Sequence, residues 1–239
     1  MKRFILAIQI LSLILLSYKH SHAQGHVNPE ARKLNDSAYR VWRDFPFPAQ
    51  KLHKFKNGKL IEVALDTTKD KYFTTDSAAT YKRLMSLLDQ ALKIDSNYKI
   101  AYWSKFSYQG QWKKHAEAVV TGEKLLTLFP NQPLIKLAVA EQYDDIGDTT
   151  VAKKYYNEIL TLFDKTLDTM SANNRQRRFL ELDKAEVLIL LNQNSSAQSF
   201  LKKLYDKETN DMNKGIINAT MKRTREEILS GKGLEISDN

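Results

Sequence analysis

Cysteine is absent from the 239 residues, so there is no disulfide, thiol nucleophile or thiolate-bound metal, and packing alone must hold the fold. Proline and glycine are scarce, at five and eight residues, which excludes collagen-like and linker-rich chains. Only five histidines occur. His20 and His22 stand just before Ala23, and His26, His53 and His115 lie far apart in no metal-binding spacing such as H-E-x-x-H, so no metal site is indicated. The chain also lacks a G-x-S-x-G elbow, a phosphate-cradling glycine loop and a dinucleotide fingerprint; no cofactor is implied and no enzyme is expected. What is present is 42% hydrophobic and 27% charged residues, enough apolar material to bury the core of one folded body.

The one apolar run of note is at the start. Lys2 and Arg3 precede an apolar stretch from Phe4 to Leu16, and Ser21-His22-Ala23 stands before Gln24. This order predicts a secretory signal peptide over 1–23, cleaved after Ala23, because the run is shorter than the ~20 residues a spanning helix requires. An uncleaved anchor is the rival, opposed by Gln9 and Ser12 within the run. The expected product is exported, periplasmic or secreted, with no transmembrane segment after cleavage. Cleavage removes Lys2, Arg3 and Lys19 from the 37 basic residues, and the rest still outnumber the 28 acidic ones. That modest excess is spread along the chain and does not point to nucleic acid.

Self-similarity is the strongest internal signal. Phe106, Gln109, Ala118, Leu125 and Pro130 recur at one fixed step as Ala140, Tyr143, Ala152, Ile159 and Asp164. The same step backwards from Ala118, Gly122, Leu125 and Pro130 reaches Leu84, Leu88, Ala91 and Ser96. A displaced unit repeats the internal spacing as Ala185, Ala197 and Leu204. Each unit reads as helix, turn, helix, with apolar residues at helical spacing. In the clearest one, Gly147 supplies the turn, Asp148 caps the next helix, and Ala140 and Ala152 are short enough to let two helices approach closely. Asp144-Asp145 reads as helix-end solvation, since adjacent helical residues diverge too far to share one substrate atom.

The stretch from Ala91 through Ile94-Asp95-Ser96-Asn97 to Trp103 resembles the junction of the tetratricopeptide repeat (TPR) family, and 128–133 and 162–164 do so less fully. The resemblance covers about Asp76 to Glu208. Ser96 and Asp164 replace the family's turn proline, and an insertion around Asp168 to Asn173 delays the last unit. It implies an all-α, TPR-like helical-hairpin solenoid (an α-α superhelix). The expected order is a signal peptide (1–23), an N-terminal helix Pro29 to Arg43 plus a long insertion loop (24–76), repeats (77–208), a capping helix (209–230, Asn213 to Leu229 within it) and a tail (231–239). The N-terminal helix is expected to pair with a helix from Ser77 to Ile94. The insertion contains Asn57-Gly58 and a β-favouring run, Lys59 to Leu65.

In this family the first helices of each pair line a concave face that holds an extended peptide or a partner's helix. Matching helical faces carries that onto Trp103, Ser107 and Gln111, onto Leu137, Glu141 and Asp145, and onto Glu186, with Tyr39 and Trp42 joining from the N-terminal helix. Aromatic anchors ringed by charge suit a peptide with basic and apolar side chains; Trp103 and Trp42 fit helix packing equally well. The implied function is a non-enzymatic protein- or peptide-binding adaptor of the cell envelope. Its alternatives are a structural subunit of an envelope complex, or a glycan- or cell-wall-processing enzyme built on Asp66, Asp70 and Asp76 in the 44–76 insertion. Asp-Ser/Thr-apolar triplets beginning at Asp36, Asp66, Asp76, Asp148 and Asp168 resemble the O-glycosylation sequons of exported proteins in Bacteroidetes-type bacteria. Asp66-Thr67 is the best candidate, because Asp76 and Asp148 also fit helix caps.

Overall fold

A computed structural model of the chain describes residues 27–45, 52–56, 59–63, 77–171 and 174–229. The expected signal peptide, the Asp66-Thr67 sequon, Asp70, Asp76 and the 231–239 tail lie outside the described residues. Those described form ten helices and one two-stranded antiparallel hairpin. No described helix is long and apolar enough to cross a membrane. The described residues fall into two compact units, 27–113 and 114–229.

The first unit contains α1 (Pro29–Arg43), β1 (Leu52–Lys56), β2 (Lys59–Val63), α2 (Ser77–Ile94) and α3 (Lys99–Gln111). Asn28 accepts from the Glu30 amide at 2.9 Å and Pro29 fills the first turn, where its missing N–H has no helical acceptor to lose. Ala31, Asn35 and Ala38 then come round at helical spacing and are buried. Ala31 and Ala38 meet the α2 stripe Leu84, Leu88 and Ala91 and the α3 residues Ala101 and Tyr108 in one core. The Asn28 amide reaches Asp95 at the far end of α2, so α1 and α2 run antiparallel. Trp112 Nε1 donates to Ser77 Oγ at 3.0 Å, tying the end of α3 to the start of α2. The sequence marked only one strand of the insertion; β2 pairs with β1 in the register Leu52↔Val63 to Lys56↔Lys59. β1 went unmarked because it contains no β-branched residue.

The second unit is a run of seven helices: α4 (His115–Leu128), α5 (Pro133–Asp145), α6 (Thr149–Thr169), α7 (Arg175–Leu190), α8 (Asn194–Lys207), α9 (Asp211–Met221) and α10 (Arg225–Leu229). From α4 to α9 each helix packs on its successor, and α10 lies against α7 and α5. Ion pairs show the directions. Lys136 of α5 meets Glu158 of α6 at 2.6 Å and Lys184 of α7 pairs with Asp164 of α6, so neighbours are antiparallel. Ala140, Ala152, Tyr156, Ile159, Phe163, Val187 and Leu190 share one core and are fully buried.

Three interhelix turns share one geometry. Lys113, Gly147 and Asn192 are the chain's positive-φ positions among the described residues, at 56°, 85° and 61°. After α5 the Asp148 amide reaches back to the Tyr143 carbonyl (2.9 Å) and the Gly147 amide to Asp144 (3.0 Å); after α7, Gln193 reaches Leu188 (2.8 Å) and Asn192 reaches Ile189 (2.9 Å). This double closure satisfies carbonyls that a helix end leaves without intrahelical donors. Asp148 accepts from the Val151 amide at 3.1 Å and starts α6 as expected. The first two turns are separated by the repeat step read from the sequence. The third comes later because α6 runs 21 residues against 14 for α4 and α7 runs 16 against 13 for α5; of the expected insertion around 168–173, Asp168 and Thr169 belong to α6.

The expected single closing helix is two. Thr224 Oγ1 accepts from the Glu227 amide while the Glu227 carboxylate accepts from the Thr224 amide, both at 3.2 Å. This reciprocal cap starts α10, after Lys222 has closed α9 with its amide on the Ala219 carbonyl; Thr-x-x-Glu is the cap's signature in the sequence.

Candidate functional site

The residues carried over as a binding face separate into three environments. Two are core. Trp103 is 5% exposed and stacks obliquely on Phe106 with centroids 5.6 Å apart; Leu137, also 5% exposed, packs with Ala140 and Val187. Neither offers a surface, which corrects the expectation for both. The reason is that α3 and α5 bury residues on more than one side: Ala101, Trp103, Phe106 and Tyr108 in one, Ile135, Leu137, Val139 and Ala140 in the other. Face-matching cannot separate a groove stripe from a packing stripe on such helices.

In the first unit Tyr39, Trp42 and Gln111 do come together. Trp42 Nε1 donates to Gln111 Oε1 at 2.8 Å, its ring stacks on Tyr108 at 5.6 Å, and Tyr39 tilts against it at the same distance. Tyr39 remains 45% exposed. Ser107 is half-buried, and no side-chain hydrogen bond among the described residues joins it to this set. An open cleft of about 600 Å³ lies between α1 and α2, lined by Ser37, Arg40, Val41, Phe45, Thr80 and Arg83 among others. Both arginines are exposed, so water screens most of the attraction an anion would feel there.

The second unit gathers charge. Its one described histidine, His115, meets Gln142 Oε1 at 2.9 Å and Asp145 Oδ2 at 3.3 Å, acceptors that orient the ring without adding a nucleophile. Among the described residues no three histidine or carboxylate side chains come together as a metal-ligand set.

Glu141 of α5 and Glu186 of α7 both lie near enough to Asp183 of α7 to act on its carboxyl, on two helices that pack against α6. Asp144 of α5 is not a solvated helix end, as the sequence suggested. Its side chain is 2% exposed, accepts from Tyr156 Oη at 2.7 Å and takes Arg225 Nη2 at 2.6 Å. Arg225 Nε also donates to the Leu190 carbonyl at 2.9 Å. On α7, Glu186 pairs with Arg223. Burial, then the neighbouring carboxylates of Glu186 and Glu141, push Asp183 well above the usual carboxylate range; burial also raises Glu186, against the opposing pull of Arg223. Tyr156 is raised by burial, then by Glu141 and Asp144, and stays protonated as a donor across the accessible pH range.

An acid with a higher pKa in the fold than in the unfolded chain holds its proton more tightly when folded. The fold therefore loses stability as pH climbs from the ordinary carboxylate range through the raised value. Asp183→Asn is accordingly expected to stabilise the protein at pH 7 by about 1 kcal/mol, or roughly 2–4 °C in a chain of this size. That gain should shrink as pH falls through the ordinary carboxylate range, below which Asp183 is protonated in both states. Thermal melts of both proteins across that range check it; a variant that melts lower at pH 7 contradicts it.

Asp144, Asp183, Arg223 and Arg225 were not singled out by sequence as binding residues. Periodicity marks apolar stripes, and these four are charged residues whose partners lie up to 81 positions away. No family model matches the chain, and no curated protein matches its sequence.

Proposed function

We propose that this protein is a non-enzymatic adaptor of the bacterial cell envelope, exported to the periplasm or beyond, that holds a protein or peptide partner on TPR-like helical hairpins. The observation that carries the reading is the set of acids that α5 and α7 place together, which we read as the walls of a groove. Glu141, Asp144, Asp183 and Glu186 share one electrostatic neighbourhood there, on the first helices of two successive hairpins. Holding several carboxylates together out of water is unfavourable, and a surface kept in that state suits a cationic ligand. The repeat step between the Lys113 and Gly147 turns and the antiparallel packing of sequence neighbours support the TPR-like reading, as does the TPR-like junction at 91–103. The export reading rests on residues 1–23 of the sequence.

The test removes charge from the groove walls. Glu141→Gln combined with Asp183→Asn keeps shape and hydrogen-bonding capacity while removing two carboxyl groups. Crosslinked affinity isolation from the native organism should recover the partner with the parent chain and at least tenfold less with the double variant, at unchanged far-UV circular dichroism. Equal recovery would move the binding face elsewhere.

A further inference from the structure

The groove is already occupied by the chain itself. Arg223 lies between α9 and α10 and Arg225 opens α10, and both arginines are seated on the wall residues: Arg223 on Glu186 of α7, Arg225 on Asp144 of α5 and on the Leu190 carbonyl. Three positions beyond Arg225, Ile228 is 4% exposed within the core that holds Ala140, Val187 and Leu190. Two guanidiniums, the buried Ile228 and the partly buried Leu229 thus attach an element only five residues long, too short to be helical on its own account.

Asp183 stands on the same wall, where burial and then the Glu186 and Glu141 carboxylates favour its protonated form. The grip is specific to arginine. Arg225 uses Nη2 for a carboxylate and Nε for a carbonyl at once, a rigid fork of donors that lysine does not have.

We infer that residues 222–229 are an internal competitor in this groove, and that the partner it receives carries two arginines two positions apart followed three positions later by an aliphatic residue, displacing the strap when it binds. This deepens the adaptor reading and rests on it. Binding the partner then releases the strap, so apparent affinity is the intrinsic affinity reduced by the fraction of chains with the strap out.

The probe is a fluorescent synthetic peptide with the sequence of residues 221–229, Met-Lys-Arg-Thr-Arg-Glu-Glu-Ile-Leu, titrated by anisotropy onto the full chain and onto its R223A/R225A variant. The variant is expected to bind at least tenfold more tightly than the parent, and a peptide with citrulline at both arginines at least tenfold more weakly than the arginine form. A lysine-substituted peptide should fall with the citrulline one. Where the double variant fails to fold, the parent decides: saturating peptide should accelerate amide exchange in 222–229 at least tenfold. Equal affinity for both folded chains, or exchange in 222–229 that saturating peptide leaves unchanged, overturns the inference. So does a peptide-sensitive dimer by light scattering, which would mean that straps are exchanged between copies. Partner recovery that falls with the E141Q/D183N double variant while the peptide has no effect leaves the groove reading standing and removes only the strap.

Discussion

Ala152→Glu is expected to abolish the cooperative thermal transition of the second unit, or to lower its midpoint by more than about 10 °C. Ala152 is completely buried where α6 meets α5, in the core with Ala140, Tyr156 and Ile159. A glutamate there either carries a charge into a contact that provides no cation or water, or takes up a proton at the expense of its raised pKa. Each route costs several kcal/mol. A methylene and a carboxyl group must also enter a space shaped for a methyl, adding roughly 1–3 kcal/mol of strain. Set against a stability of about 5–15 kcal/mol for a natural domain, the sum removes most or all of it. The control is Lys153→Glu, one position along and exposed, expected to change stability by no more than about 0.5 kcal/mol. Circular dichroism melts decide: an Ala152→Glu chain melting within a degree or two of the parent would dismantle the packing scheme from which the groove is built.

The second large effect belongs to Asp144→Ala. The substitution leaves the buried Tyr156 hydroxyl without its acceptor and takes the carboxylate from Arg225. Removing one partner of a fully buried pair costs about 3–5 kcal/mol. Arg225 keeps the Leu190 carbonyl and is 22% exposed, so part of its charge is recovered by water, and about 2–3 kcal/mol is expected by denaturant titration. Asp144→Asn, which retains an acceptor for Tyr156 and loses only the charge, should cost roughly half as much. Tyr156→Phe combined with Asp144→Ala should cost less than the two single changes together, because the hydroxyl is lost with the group it needed. A loss for Asp144→Ala no larger than that of an ordinary surface substitution, about 0.5 kcal/mol, would show that the Tyr156–Asp144–Arg225 chain contributes nothing to holding α10 in place.

These two residues also show where local reading succeeds and where it stops. Ala152 was legible: a small residue recurring at a fixed step among larger apolar ones marks a close helix contact, whatever the contact is with. Asp144 was misread, because an acidic residue at a helix end is solvated by default, and its burial depends on Arg225, 81 positions on. Trp103 and Leu137 failed in the opposite sense. Their helices are apolar on several sides, and nothing in the spacing says which side faces a neighbour.

By itself the sequence determined the local geometry: α1 begins at Pro29, α2 spans Ser77–Ile94, and Gly147 and Asp148 form the turn into α6, since these depend on residues within a few positions of one another. Only the tertiary structure decided that α5 and α7 place their acids together and that Arg223 and Arg225 pair with them. That depends on the length of α6 and on the break before α10, which set how far one wall rotates relative to the next. Coulombic and packing interactions between residues 37 to 81 positions apart exist only after such rotations are fixed.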